Sequence, residues 1–158
     1  MNYTTRPLTL DPDQLTGLSN RLITSHYENN YAGAVKRLNA IRSELAVLDW
    51  STAAAFTVNG LKREELIAAN SAFLHELYFE NLGGSKPLSA FPAVEKALAA
   101  SFGSAADWEK EFRACGTMRG IGWVERRARA GRQLACFANG AELELHGRAV
   151  KEDLSLAG

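Results

Sequence analysis

Three histidines, His26, His75 and His146, are the side chains of this sequence best suited to bind a metal ion. His75 lies in residues 69–82, where a helix would be apolar on nearly every side. Such a helix is a buried one, so we expect the imidazole of His75 to point into protein. A buried imidazole needs partners for its ring nitrogens, and either a backbone carbonyl or a metal ion can supply one.

A second histidine interrupts an apolar pattern of its own. Between residues 15 and 48, apolar side chains recur mostly at intervals of three or four, which predicts a long helix. His26 and Asn30 occupy positions where its apolar face would continue, one turn apart. Alternatively, the apolar face drifts around the helix and Tyr27 and Tyr31 carry it past His26. Two helices that each carry one inward histidine suggest a shared site.

The composition is typical of a soluble globular protein. The 158 residues are 46% apolar and 23% charged, with 18 acidic and 18 basic side chains. This balance gives no support for binding to nucleic acid, and no apolar run is long enough to cross a membrane. The N-terminus lacks the apolar core of a signal peptide, and Cys115 and Cys136 lack metal-binding spacing. We therefore expect a cytoplasmic protein with reduced cysteines.

Two predicted helices dominate the first half of the chain. The first begins at a cap formed by Thr16 or Ser19 and ends near Leu48. Residues 51–60 are predicted to connect the helices, because Asn59-Gly60 is a strong turn signal. The second helix is expected to occupy about residues 62–81, after which Gly83 and Gly84 stop it.

The second half changes from a helical to a strand pattern. A segment rich in glycine, serine and proline marks the boundary, so we predict domains at residues 1–84 and 93–158. Ser104 is expected to cap a helix with Trp108 and Phe112 on one face. Three strands follow, at residues 121–128, 132–138 and 141–146. The predicted fold class is α+β, with an N-terminal long antiparallel helical hairpin and an incomplete C-terminal domain of helices and a three-stranded antiparallel meander.

Several segments, in order, resemble the iron/manganese superoxide dismutases. Residues 25–39 are similar to the first helix of that family, and His26 matches its first metal-binding histidine. Residues 75–82 are similar to the second helix, and His75 matches its histidine ligand. Gly120-Ile121-Gly122-Trp123 matches the opening of the family's C-terminal domain. The resemblance covers roughly residues 7–138.

The resemblance implies a redox function. The family binds one iron or manganese ion through three histidines and an aspartate, and it converts superoxide to oxygen and hydrogen peroxide. By resemblance, His26 and His75 would be metal ligands. The residues that would surround the metal and its ligands are Asn30, Tyr31, Ser71 and Trp123.

The sequence also departs from the family pattern. The third and fourth ligands of the family come from an Asp-x-Trp-x-His-like segment after the third strand, and these 158 residues contain none. The final Leu156-Ala157-Gly158 resembles the stretch just before that segment, so we expect a C-terminally truncated or degenerate member. Ala34 stands where the family has its active-site tyrosine. His146 is the one remaining histidine that could substitute as a ligand, but the alternation of its strand predicts an exposed side chain.

Three functions remain open on this basis. The first is a superoxide dismutase whose iron or manganese site is completed by water, a carboxylate or another chain. The second is a non-catalytic truncated relic or helical interaction module with no metal or with zinc, since two imidazoles alone favour copper or zinc over iron or manganese. The third is an unrelated α+β domain in which both histidines are structural. Because family members usually pair through the segment that is missing here, the usual dimer is in question and another homo-oligomer is the expectation.

Overall fold

The computed structural model of the protein describes residues 2–84, 86–117, 123–128 and 134–139. The chain forms two compact units, Met1–Gly84 and Ser85–Gly158. The third predicted strand, residues 141–146, and His146 lie outside the described residues. In the part of the chain that is described, no helix combines the length and apolar character needed to cross a membrane.

The first predicted helix is interrupted rather than continuous. Ser19 caps it as predicted, accepting a hydrogen bond from the backbone N–H of Leu22 at 3.3 Å. Helix α1 covers Asn20–Ser25, a π-helical turn covers His26–Tyr31, and helix α2 covers Ala32–Ala46. A short 3-10 helix, Pro12–Gln14, precedes them. The π-helical turn therefore contains the first of the two matched histidines.

The second long helix, α3, covers Ala55–Glu80 and begins earlier than the sequence predicts. The expected turn at Asn59-Gly60 is wrong, because both residues lie inside α3. Leu61 packs against the apolar side chains of α2, and this packing outweighs the local turn preference. The end of the helix is as predicted, with Gly83 at a φ of 79° just beyond it.

Helices α2 and α3 form an antiparallel hairpin with a core at each end. Tyr31, just before α2, bonds Glu76 near the end of α3, whereas Arg37 further along α2 pairs with Glu64 earlier in α3. The two helices therefore run in opposite directions. We call one core the histidine end; its buried residues are Ile23, Tyr31, Val35, Ala72 and Phe79. We call the other the hairpin end; its buried residues are Leu38, Ile41, Leu45, Ala68 and Ala69.

The second unit contains two helices and a strand pair. After a 3-10 helix at Leu88–Ala90, helix α4 covers Pro92–Phe102 and helix α5 covers Ala105–Gly116. Ser104 caps α5 as predicted, accepting from the N–H of Asp107 at 3.0 Å. Strands β1, Trp123–Ala128, and β2, Leu134–Asn139, pair antiparallel with Trp123 opposite Asn139. The three-stranded meander itself stays a prediction.

Candidate metal centre

The two histidines singled out from the sequence meet at the histidine end of the hairpin. The ring centroids of His26 and His75 are 4.8 Å apart, and the ring planes stand at 77° to each other. His26 opens the π-helical turn and His75 lies in the C-terminal half of α3. Two segments separated by about half of the first unit thus bring their imidazoles into direct contact.

This separation fits two ligands of one metal ion. An imidazole nitrogen binds a first-row metal at about 2.0–2.1 Å, which puts the ring centroid roughly 3.2 Å from the ion. Two such rings at ligand–metal–ligand angles of about 90–120° then have centroids roughly 4.5–5.5 Å apart. The measured 4.8 Å falls inside that interval. An edge-to-face contact between two rings without a metal also gives this distance. The distance is therefore required for a shared metal ion but does not by itself identify one.

A backbone carbonyl fixes the orientation of His75. The imidazole is 5% exposed, and its Nδ1 lies 2.6 Å from the carbonyl oxygen of Ser71, one turn earlier in α3. A carbonyl can only accept, so Nδ1 donates and Nε2 carries the lone pair. A second group that holds one nitrogen while the other binds a metal is the usual arrangement around metal-binding histidines. Ser71, predicted to surround the ligands, contributes through its backbone.

His26 is half-buried and held between aromatic rings. Its imidazole stacks on Tyr78 with centroids 5.2 Å apart and meets the edge of Phe79 at 5.6 Å. Its other side borders an open cleft of about 450 Å³. The cleft's remaining lining residues are Ser19, Arg21, Leu22, Ser25 and Asn30. A small solute can therefore approach His26 from this cleft.

The inward position predicted for Asn30 is wrong, because its side chain is exposed. A π-helical turn holds more residues than an α-helical one and so rotates the chain that follows it. Ile23 and Tyr31 are fully buried, while Leu22 is 49% exposed. Tyr31 carries the apolar face past His26, as in the alternative, while His26 still contacts His75 and Asn30 is left at the rim of the cleft.

Burial lowers the pKa of both imidazoles. For His26 desolvation is the cause, and for His75 desolvation is joined by the neighbouring His26 and opposed by the bond to Ser71. A lowered pKa keeps both rings neutral at neutral pH. The neutral imidazole is the form that binds metals.

A buried carboxylate beside His75 escaped the sequence analysis. Glu76 is 6% exposed, and its Oε1 accepts hydrogen bonds from the hydroxyls of Tyr3 at 2.6 Å and Tyr31 at 2.8 Å. Its Oε2 lies 3.1 Å from Nε of Arg6. Burial and these bonds raise the pKa of Tyr31 to about 12 and that of Tyr3 further. A partial signal was available, because Glu76 directly follows His75 within the apolar stretch, although Glu80 in the same stretch is exposed.

The N-terminal arm, residues 2–11, supplies half of this network. Residues 1–14 contain Pro7 and Pro12 and no periodic pattern, so the sequence predicts only an extended lead-in there. The backbone of Tyr3 exchanges two 2.8 Å hydrogen bonds with the side-chain amide of Asn39. The backbone of Arg6 donates to the Tyr31 hydroxyl at 2.8 Å and accepts from that of Tyr27 at 2.7 Å. The arm is thereby tied across both helices that carry the histidines.

The remaining predicted residues lie in different places. Tyr31 stacks on His75 with ring centroids 6.1 Å apart. Trp123 is half-buried at the start of β1, in the second unit. Across the described residues, no three histidine, cysteine, aspartate or glutamate side chains come close enough together to hold a metal ion. His26 and His75 are the two imidazoles in contact in this part of the chain.

Known proteins similar to the chain are superoxide dismutases. No protein-family profile matches the chain. An iron superoxide dismutase of Cupriavidus metallidurans is 56% identical over 126 residues, which are 78% of this chain and 63% of that protein. An iron superoxide dismutase of Aquifex pyrophilus is 30% identical over 120 residues, and one of Aquifex aeolicus is 31% identical over 99 residues. These matches cover 73% and 60% of this chain and 56% and 46% of the two relatives.

The agreement is therefore extensive along this chain and partial along its relatives. The chain spans between about half and two thirds of the length of these curated relatives. All three relatives carry the name of iron superoxide dismutase. The chain belongs to the iron/manganese superoxide dismutase family.

Proposed function

We propose that this chain is the part of an iron superoxide dismutase that holds the metal between His26 and His75. The observation that carries the proposal is the contact of the two rings at 4.8 Å, in a chain 56% identical to an iron superoxide dismutase. Iron is proposed before manganese or zinc because the three relatives are named as iron enzymes. Superoxide is the proposed substrate.

The protein's own contribution would be to hold the ligands and admit the substrate. Nδ1 of His75 stays bonded to the Ser71 carbonyl, which leaves Nε2 to face a metal. The open cleft beside His26 would give a small anion access from solvent. When bound, the metal supplies one-electron redox chemistry, by which one superoxide is oxidised to oxygen and the next is reduced, with two protons, to hydrogen peroxide.

Two imidazoles fill only part of an iron ion's coordination shell. The family pattern adds a third histidine and an aspartate, whose segment is not found in these 158 residues. We propose that water or further protein groups fill the remaining positions. Location in the cytoplasm, Trp123 as a neighbour of the site, and assembly into a homo-oligomer stay predictions.

Metal content and dismutation activity, measured on one sample of the purified chain, test the proposal. We expect His26→Ala and His75→Ala each to weaken iron binding by more than about 100-fold, because removing a ligand costs more than removing its supporting partner. His146→Ala is the matched control and should retain the metal.

The outcomes separate the open functions. Iron at near one ion per chain with activity that His75→Ala abolishes supports the proposal, and an equal loss in His146→Ala would make that residue the substitute ligand. A chain that binds zinc in preference and dismutates no superoxide would contradict it and favour a non-catalytic family member. A chain that binds no divalent metal at all would leave both histidines as structural residues.

A further inference from the structure

The hydrogen bond between Tyr31 and Glu76 joins the two segments that carry the histidines. Tyr31 is the last residue of the π-helical turn that His26 opens, and Glu76 directly follows His75. The Tyr31 hydroxyl lies 2.8 Å from Oε1 of Glu76, and both side chains are almost fully buried. A change in this bond therefore changes the placement of one histidine segment against the other.

The ring of Tyr31 also contacts one of the imidazoles directly. It stacks on His75 with centroids 6.1 Å apart and planes at 29°. Its hydroxyl is held from two sides, since it donates to Glu76 and accepts from the backbone N–H of Arg6. Fixing the hydroxyl fixes the ring, and the ring limits how the His75 imidazole can tilt.

We infer that Glu76 is a positioning residue of the metal centre, which acts through Tyr31 to set the separation and angle of the His26 and His75 rings. The inference deepens the proposed function and rests on it for the metal itself. Glu76 accepts two phenol hydrogen bonds and pairs with Arg6, so its carboxylate is directed at these groups. We do not assign Glu76 as a metal ligand.

Stability alone gives a weak reason for a carboxylate here. Well-packed apolar side chains commonly stabilise a buried position as well as a buried ion pair does. Apolar contacts between helices tolerate small slides, whereas a hydrogen bond weakens steeply when its distance or angle changes. A directional bond between the last residue of the π-helical turn and the residue after His75 therefore restricts the ring pair more tightly than packing would.

Two variants remove or weaken the hydrogen bond between Tyr31 and Glu76, and two matched variants leave it in place. Tyr31→Phe keeps the ring and deletes the hydroxyl, so the bond is lost. Glu76→Gln keeps the shape of the side chain and deletes the charge, so its amide oxygen accepts a weaker bond. Tyr27→Phe is the control for the first, because among the described residues its hydroxyl bonds the Arg6 carbonyl and not Glu76. Glu80→Gln is the control for the second, because it pairs with Arg6 and is exposed.

The experiment uses the full 158-residue chain and has one readout without metal and one with it. Nuclear Overhauser contacts between the ring protons of His26 and His75, with nitrogen shifts that report the His75 tautomer, describe the ring pair in the metal-free protein. Titration with Zn²⁺ then gives the affinity, with His75→Ala as the blank. All measurements are made well below each variant's thermal midpoint, after circular dichroism has shown a folded helical chain.

We expect Tyr31→Phe and Glu76→Gln to weaken the ring-to-ring contacts and to reduce Zn²⁺ affinity about tenfold, the lower end for supporting residues of metal sites. The two controls should stay within twofold of the parent. If Glu76→Gln does not fold, Tyr31→Phe alone decides. Unchanged ring contacts and unchanged affinity in Tyr31→Phe would overturn the inference, whatever happens to the melting temperature. If the parent binds neither Zn²⁺ nor Fe²⁺ while its ring contacts still depend on Tyr31, the metal proposal fails and the positioning role stands.

Discussion

The two ends of the helical hairpin are made from the same two helices and are held together by different interactions. At the histidine end, aromatic rings surround a buried network in which Tyr3, Tyr31 and Arg6 all contact Glu76. At the hairpin end, aliphatic side chains pack against small alanines, and the ion pairs that flank them are on the surface. Beyond that core, three large apolar side chains are exposed: Val47, Trp50 and Phe56.

The difference shows where exact placement matters in this protein. At the hairpin end, apolar packing holds the two helices together and ion pairs at the surface flank it. The histidine end adds directional bonds between α3, the π-helical turn and the N-terminal arm. These bonds lie beside the two imidazoles, so their contribution is to geometry as well as to stability.

The largest loss of stability is expected at the hairpin end, where apolar packing can be weakened without changing the contacts of the two histidines. Leu38 is fully buried at the hairpin end, so Leu38→Ala removes apolar contacts and leaves a cavity. We expect the free energy of unfolding to fall by about 2–5 kcal/mol, measured by urea denaturation. Zn²⁺ affinity and the His26–His75 ring contacts should stay as in the parent, because the change lies outside the histidine end.

Glu76→Gln supplies the contrast for that measurement. It is expected to change the ring pair even where its loss of stability is smaller than that of Leu38→Ala. A loss of Zn²⁺ affinity in folded Leu38→Ala that matched the loss in Glu76→Gln would mean that any destabilisation disturbs the site. The distinction between the two ends would then disappear.

The features that the sequence predicted correctly are governed by neighbouring residues. Ser19 and Ser104 cap helices through bonds within three residues, and Gly83 ends α3 through its own backbone freedom. The burial of His75 is likewise predictable from the apolar pattern of its own helix. Such local signals are present in the sequence whatever the rest of the chain does.

The features that were missed depend on distant parts of the chain. The predicted turn at Asn59-Gly60 is wrong because packing of Leu61 against α2 extends the helix through both residues. The predicted inward position of Asn30 is wrong because α-helical periodicity does not continue through the π-helical turn. The buried network of Glu76 includes Tyr3, which is 73 residues away in sequence and lies in a segment without a periodic pattern.

An intermediate effect is expected at alkaline pH and belongs to the histidine end. Burial and the bond to Glu76 raise the pKa of Tyr31 to about 12, so the folded chain keeps this proton after the unfolded chain has lost it. Stability from this group is complete below about pH 10 and is lost as the pH rises toward 12, by up to about 1.4 kcal/mol per pH unit. Tyr3 shifts in the same direction and adds to the loss. Urea midpoints measured across this range should fall less steeply in Tyr31→Phe, and equal slopes in the two proteins would contradict the assignment.

The smallest expected effect compares one arginine from each end. Arg37 pairs with Glu64 where both side chains are exposed, so Arg37→Ala should change the free energy of unfolding by less than about 0.5 kcal/mol. Arg6 is also half-exposed, but its partner Glu76 has a side chain only 5% exposed. Arg6→Ala should therefore cost more, about 1–2 kcal/mol, because it removes the cationic partner of a buried carboxylate. Raising the salt concentration screens exposed pairs and reaches buried ones much less. The larger loss of unfolding free energy in Arg6→Ala than in Arg37→Ala should consequently persist in high salt. If that difference disappears, the Glu76 network is no more protected from solvent than the surface pairs of the hairpin end.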